Sequence, residues 1–197
     1  MKKNIYLFIP FLFYNCSVTK DKNAPINDYL SSLHLENKKI MIIEEKINNN
    51  VTIDIFKGQI YFEPLRNKYE RNEGVQEPLY VKRKWERMKD KYEDKYISDY
   101  WIRGNYWALT DFKNQNIVFI KRENFPNPGK YEEFDFKEYL NIFSFSEPIF
   151  YDKKYAVFTK IKTDTNDKTF ADTSILIMEK KGSKWEIIKD VGDGIYN

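Results

Sequence analysis

The sequence predicts an α+β fold: an antiparallel, curved sheet packed against one long amphipathic helix. Three observations carry this expectation. The C-terminal third is a succession of short apolar or alternating runs separated by turn residues, with no helical pattern between them to act as a parallel crossover. From Val81 to Tyr96, apolar residues recur at spacings of three and four amid charges of both signs, which is one face of a helix. And 15 Tyr and 15 Phe in 197 residues supply the bulky side chains that strands and a large core favour.

At the N-terminus, Lys2 and Lys3 precede an uncharged run from Ile5 to Tyr14, and the chain turns polar from Cys16 onward. A basic start, a short apolar run and an abrupt polar boundary are the pattern of a targeting peptide. The run is shorter than the roughly 20 residues a spanning helix needs, and Pro10 would break a helix in lipid. Two other readings are a buried N-terminal strand or helix and an ordinary secretory peptide. The latter wants small residues before the cut, where Phe13, Tyr14 and Asn15 stand. Phe13-Tyr14-Asn15-Cys16 resembles a bacterial lipobox in the looser form found in Bacteroidetes, and the Lys20-Asp21 pair resembles a surface-export signal of that group. The resemblance implies that residues 1–15 leave as a signal peptide and that the Cys16 sulfur is diacylated with palmitate-like chains. The mature protein would then be anchored to a cell-envelope membrane, the outer membrane being the expected one. Each buried methylene contributes about 0.8 kcal/mol and one chain binds only marginally, so the two or three chains of a lipoprotein hold without a spanning helix. Residues 16–24 become the lipidated cysteine and its polar tether, and residues 25–197 a single α+β domain.

Within that domain, Pro25 to Leu33 predicts a short helix, with Pro25 near its start and Ile26, Tyr29, Leu30 and Leu33 on one face. Ile40-Met41-Ile42-Ile43 predicts a strand buried on both sides. Asn48 to Asn50 predicts a turn. Val51, Ile53 and Ile55 alternate with Thr52, Asp54 and Phe56, which predicts a half-buried strand closing through Lys57-Gly58-Gln59 onto Ile60-Tyr61-Phe62 as a hairpin. Residues 65–76 predict a loop, and Glu77-Pro78 the start of the long helix. Its outward residues mix Lys, Arg, Glu and Asp, a solvated face and not a basic one.

The segment 99–112 concentrates Tyr100, Trp101, Tyr106, Trp107 and Phe112. A ligand-binding aromatic patch and a strand closing the core both fit it; large aromatics favour the core. Strands are expected at 117–121, 141–146 with Phe143 and Phe145 on one face, 149–151 after an interruption at Pro148, 155–161, 175–178, and 184–189 with Trp185 and Ile187 inward. Turns are expected at Asp152-Lys153-Lys154 and Lys181-Gly182-Ser183, and polar loops at 124–130 and 162–172.

The closing runs "FSFSEPIFYDKKYAVFTK" and "SILIMEKKGSKWEII", with Trp107 to Phe112 before them, resemble small lipoproteins of Bacteroidetes over about residues 100–190. "GSKWEII" is also similar to the last hairpin of cystatin-like and nuclear-transport-factor-like domains, in which a curved antiparallel sheet wraps a helix. The lipoprotein resemblance implies location and fold and carries no activity.

Composition narrows function by exclusion. Without Lys2 and Lys3, 31 basic residues face 30 acidic ones, a net charge of +1, which argues against a nucleic-acid partner. Cys16 is the only cysteine, so acylation leaves no thiol for a disulfide or a Cys–His pair. His34 is the only histidine, which speaks against a triad or a His-based metal site and fits a surface or capping role. No dinucleotide, P-loop or zincin motif is present, so no cofactor is expected. Asp135 and Glu138 share a helical face at i, i+3, the start of a solvated helix or one half of a carboxylate pair. Asp164, Asp167 and Asp172 lack the spacing of a calcium loop. Three functions fit: a non-enzymatic binding or interaction module, a carboxylate-dependent envelope hydrolase, and an immunity or inhibitor protein.

Overall fold

The computed structural model describes residues 21–35, 38–57, 79, 81–114, 116–124, 141–164 and 172–192. Helix α1 (Ala24–Ser32) forms where expected: Pro25 pre-sets the first turn, and Ile26, Tyr29 and Leu30 bury one face. It ends at Leu33, and His34 follows with φ 52°. Strands β1 (Ile40–Ile43) and β2 (Glu45–Ile47) are separated by Glu44 alone. They lead into helix α2 (Asn49–Phe56), and later to α3 (Lys82–Tyr92), β3 (Trp101–Tyr106) and β4 (Ile117–Ile120). The C-terminal strands are β5 (Asn141–Phe145), β6 (Ile149–Tyr151), β7 (Tyr155–Asp164), β8 (Asp172–Lys181) and β9 (Lys184–Gly192).

The fold is α+β, but its sheet is mixed where an antiparallel one was expected. Among the described residues, seven strands lie in the order β4-β1-β5-β7-β8-β9, with β6 also on β7. From β5 to β9 every pairing is antiparallel, as expected. β1, however, runs parallel to both neighbours, with Ile40 opposite Ile117 of β4 and Asn141 of β5. The reason lies in the connections. The chain between β1 and β4 contains α2 and α3, long enough for a return in the same direction. β1 is entirely apolar, which suits a strand covered on both faces.

That return was hidden because residues 51–56 alternate like a strand. They form helix α2 instead. Asn48, in extended conformation, caps it by accepting the Asn50 N–H on Oδ1 at 2.9 Å, and Thr52, Ile53 and Phe56 face the sheet. The predicted hairpin partner, residues 60–62, lies outside the described residues.

The expected long helix is also corrected, to the 11 residues of α3. Glu93 is already extended. Asn50 then holds the emerging chain, accepting from the Asp94 N–H at 2.9 Å and donating to the carbonyls of Asp94 and Ile97 at 2.8 and 3.0 Å. These bonds replace the helical ones that residues 94–96 would have made, and Tyr96 is left in solvent.

The two sheet faces are covered by different helices. Under α1 lie Ile42, Phe143, Phe145, Phe158, Leu176, Met178 and Trp185. The Tyr29 ring meets Phe143, Phe145 and Phe158 edge-on at 6.1–6.2 Å. On the other face, Ile53, Phe56 and Met88 of α2 and α3 pack with Ile149, Tyr151, Val157, Ile175 and Ile177. Tyr151 ties α3 down, since its hydroxyl bonds both backbone groups of Val81. One edge expectation fails: Ile187 stays 42% exposed while Trp185 is buried. Trp185 and Ile187 share one register, and a bulge follows Ile187, between the Met178–Ile187 and Ile177–Lys189 pairs.

Candidate functional site

Among the described residues, two lysines lie in the interior, Lys46 at 6% and Lys160 at 4% exposure. Buried lysines demand partners, because an isolated ammonium in an apolar setting costs several kcal/mol. The partners of both come from strand geometry.

Lys46 sits in β2 and meets Glu147 at 2.7 Å. Glu147 reaches it because of a bulge. Ser146 still donates its N–H to Thr159, while Ile149 pairs Val157, so Glu147 and Pro148 together stand opposite Phe158. The extra residue swings the carboxylate towards Lys46, and Lys22 adds a second contact at 3.1 Å. Burial pushes the Glu147 carboxyl up, but the hydrogen bonds from Lys46 and Lys22 outweigh it and hold the group below its ordinary range. Lys46 Nζ also lies 4.6 Å from the centroid of the Trp107 ring. Trp107 itself is fixed by its backbone N–H, which donates to the Glu44 carbonyl at 2.8 Å, and by packing on Phe112 at 5.3 Å.

Lys160 lies on the α1 face of β7, beside Phe145 of β5 and Ser174 of β8. Its ammonium reaches Asp190 at 3.0 Å and Asp172 at 3.5 Å. Tyr29 of α1 stands above this row. Burial, then the charges of Asp190 and Asp172, push its phenol far above the ordinary tyrosine range.

Chemically, both clusters hold fixed charge. Each lysine nitrogen is engaged by carboxylates, an arrangement that pairs charges across strands. On the other face, Thr52 Oγ1 lies 2.9 Å from Ser146 Oγ and 2.7 Å from Thr159 Oγ1, and Ser146 Oγ accepts the Thr159 N–H at 2.9 Å. These hydroxyls satisfy one another between α2 and the sheet; among the described residues no carboxylate or imidazole joins them to activate one. Beside Asn50, a shallow depression of about 600 Å³ is lined by Glu93, Asp94, Lys95, Tyr96, Ile97 and Ser98. Among the described residues, no group of three or more His, Cys, Asp or Glu is gathered for a metal.

The residues singled out in the sequence scatter. Cys16, Asp135, Glu138 and Asp167 lie outside the described residues. His34 is exposed just past α1. Asp172 is not in a loop but at the start of β8, paired with Lys160. Of the aromatic segment, Trp107 and Phe112 are in the core, whereas Tyr100 and Tyr106 reach the surface. Lys46, Glu147 and Lys160 were missed. The signal for Lys160 was present, since it follows Ala156 and Phe158 on the apolar phase of its strand.

No family model, curated protein or solved structure matches the chain. Among the described residues, no helix is long and apolar enough to cross a membrane.

Proposed function

We propose that the protein is a lipid-anchored module of the bacterial cell envelope that acts by binding and not by catalysis. The observation that carries the location is the order Lys2-Lys3, the uncharged run to Tyr14, Cys16 and a polar stretch. A domain that follows an acylated cysteine is held at the membrane by its chains alone.

The binding role is supported by what the interior lysines do. Lys46 ties β2 to Glu147 after β5, and Lys160 ties β7 to β8 and β9, so each helps hold a rigid framework. The experiment is recovery of the tagged, membrane-extracted protein with whatever accompanies it. A specific companion supports the module reading, whether a toxin it neutralises or another envelope protein. Glycan cleavage by the purified protein, abolished by loss of one carboxylate, would support the hydrolase instead.

A further inference from the structure

We propose that the surface around Asp21 rests against the phospholipid headgroups of the same bilayer that holds the acyl chains. This inference depends on the lipid-anchor reading. Cys16 and Asp21 are five residues apart, a reach of at most about 18 Å at ~3.6 Å per residue. The surface surrounding Asp21 is therefore the one brought nearest the membrane.

That surface is well defined. Asp21 pairs with Lys113 at 3.4 Å, and the Asn23 amide donates to Asp111 Oδ1 at 2.8 Å. The turn 108–113 is thus fastened beside the point where the tether enters. Asp111 Oδ2 accepts the Ala108 N–H at 2.9 Å and closes a 3-10 turn, Leu109–Asp111, with Leu109 at its tip. Leu109 is 61% exposed and the neighbouring Tyr106 52%. Lys22 and Lys113, both more than half exposed, reach Glu147 and Asp21 on this side of the domain.

An apolar tip, an amphipathic ring and surrounding ammonium groups match the layered chemistry of a bilayer surface. Leucine suits the acyl boundary, tyrosine the headgroup level, and lysine reaches phosphate while its stem covers apolar surface. With Lys46 counted on Glu147, the lysines Lys22, Lys46 and Lys113 match the carboxylates Asp21, Asp111 and Glu147, so the local charge is balanced. Contact then depends on the apolar tip and needs no excess of anionic lipid.

The test uses the full chain in its membrane, with a photo-crosslinking residue in place of Leu109 or, as control, of Ile187. Ile187 is exposed on β9, the edge strand opposite β4 in the sheet. Acylation of Cys16 is followed in parallel with labelled palmitate. The expected result is acylated protein that gives a phospholipid adduct from position 109 and none from position 187. With the crosslinker at Tyr106, a Leu109→Asp change should abolish the adduct. Acylated protein with no adduct at 109, or with equal adducts at 109 and 187, overturns the orientation and leaves the anchor standing. Absence of palmitate from Cys16 overturns both.

Discussion

Removing Asp190 and removing Lys160 break the same contact, yet they should have unequal consequences. Lys160 is 4% exposed and sits 3.0 Å from Asp190, while the Asp190 and Asp172 side chains are 48% and 68% exposed. Deleting one partner of a fully buried pair costs ~3–5 kcal/mol, because the other charge is stranded. Here solvent reaches both carboxylates and Asp172 remains at 3.5 Å, so Asp190→Ala should cost about 1–2 kcal/mol. Lys160→Met keeps the apolar stem beside Phe145, removes the buried charge and returns two carboxylates to water, so its cost should stay within about 1 kcal/mol. For a domain of this size 1 kcal/mol moves the midpoint by roughly 2–4 °C, so Asp190→Ala should melt about 2–8 °C below the parent. Thermal melts followed by circular dichroism, supported by urea titration at equal slope, read the difference. A Lys160→Met protein that melts well below Asp190→Ala would refute the claim that burial of the lysine sets the cost.

Three further outcomes follow from the same geometry. Glu147 has a folded-state pKa below its unfolded value, so its stabilisation is full above the ordinary glutamate range and fades as pH falls through the folded value. Urea midpoints measured across acid pH should show Glu147→Gln with a shallower loss than the parent; an unchanged slope contradicts the Lys46–Glu147 assignment. Phe145, fully buried between Phe143 and Phe158 beneath Tyr29, should cost about 3–5 kcal/mol as Phe145→Ala by chemical denaturation, and a cost below ~1 kcal/mol would deny it a central place in the core. Asn50→Ala removes three bonds that hold residues 94–97, so amide exchange of that loop should accelerate while that of β7 and β8 does not.

Local pattern made much of this fold legible. Pro25 and the Ile26, Tyr29, Leu30 spacing placed α1, and the alternation of residues 155–161 and the apolar run 175–178 placed β7 and β8. Where the pattern was ambiguous, tertiary context decided. Residues 51–56 alternate as a strand does, but Asn48 caps them into a helix whose Thr52, Ile53 and Phe56 meet the sheet. Helical spacing continues to Tyr96, yet Asn50, 44 residues upstream of Asp94, ends the helix, and no window around 93 contains that information. The parallel pairing of β1 was illegible for the same reason, because it depends on the direction in which α2 and α3 return the chain. The interior charges were half legible. Lys160 stood as a charge in phase with Ala156 and Phe158 on an apolar strand face, whereas Glu147 finds Lys46 only through a bulge.

The claim on which the functional account rests is that Cys16 is an acylated N-terminus. Mass analysis of the N-terminal peptide from the membrane-extracted protein tests it directly. The account predicts a peptide that begins at Cys16 and carries acyl mass, with a Cys16→Ala protein released from the membrane or left unprocessed without label. A peptide that begins before Cys16 with an unmodified thiol, from a protein that stays membrane-bound as Cys16→Ala, would contradict it.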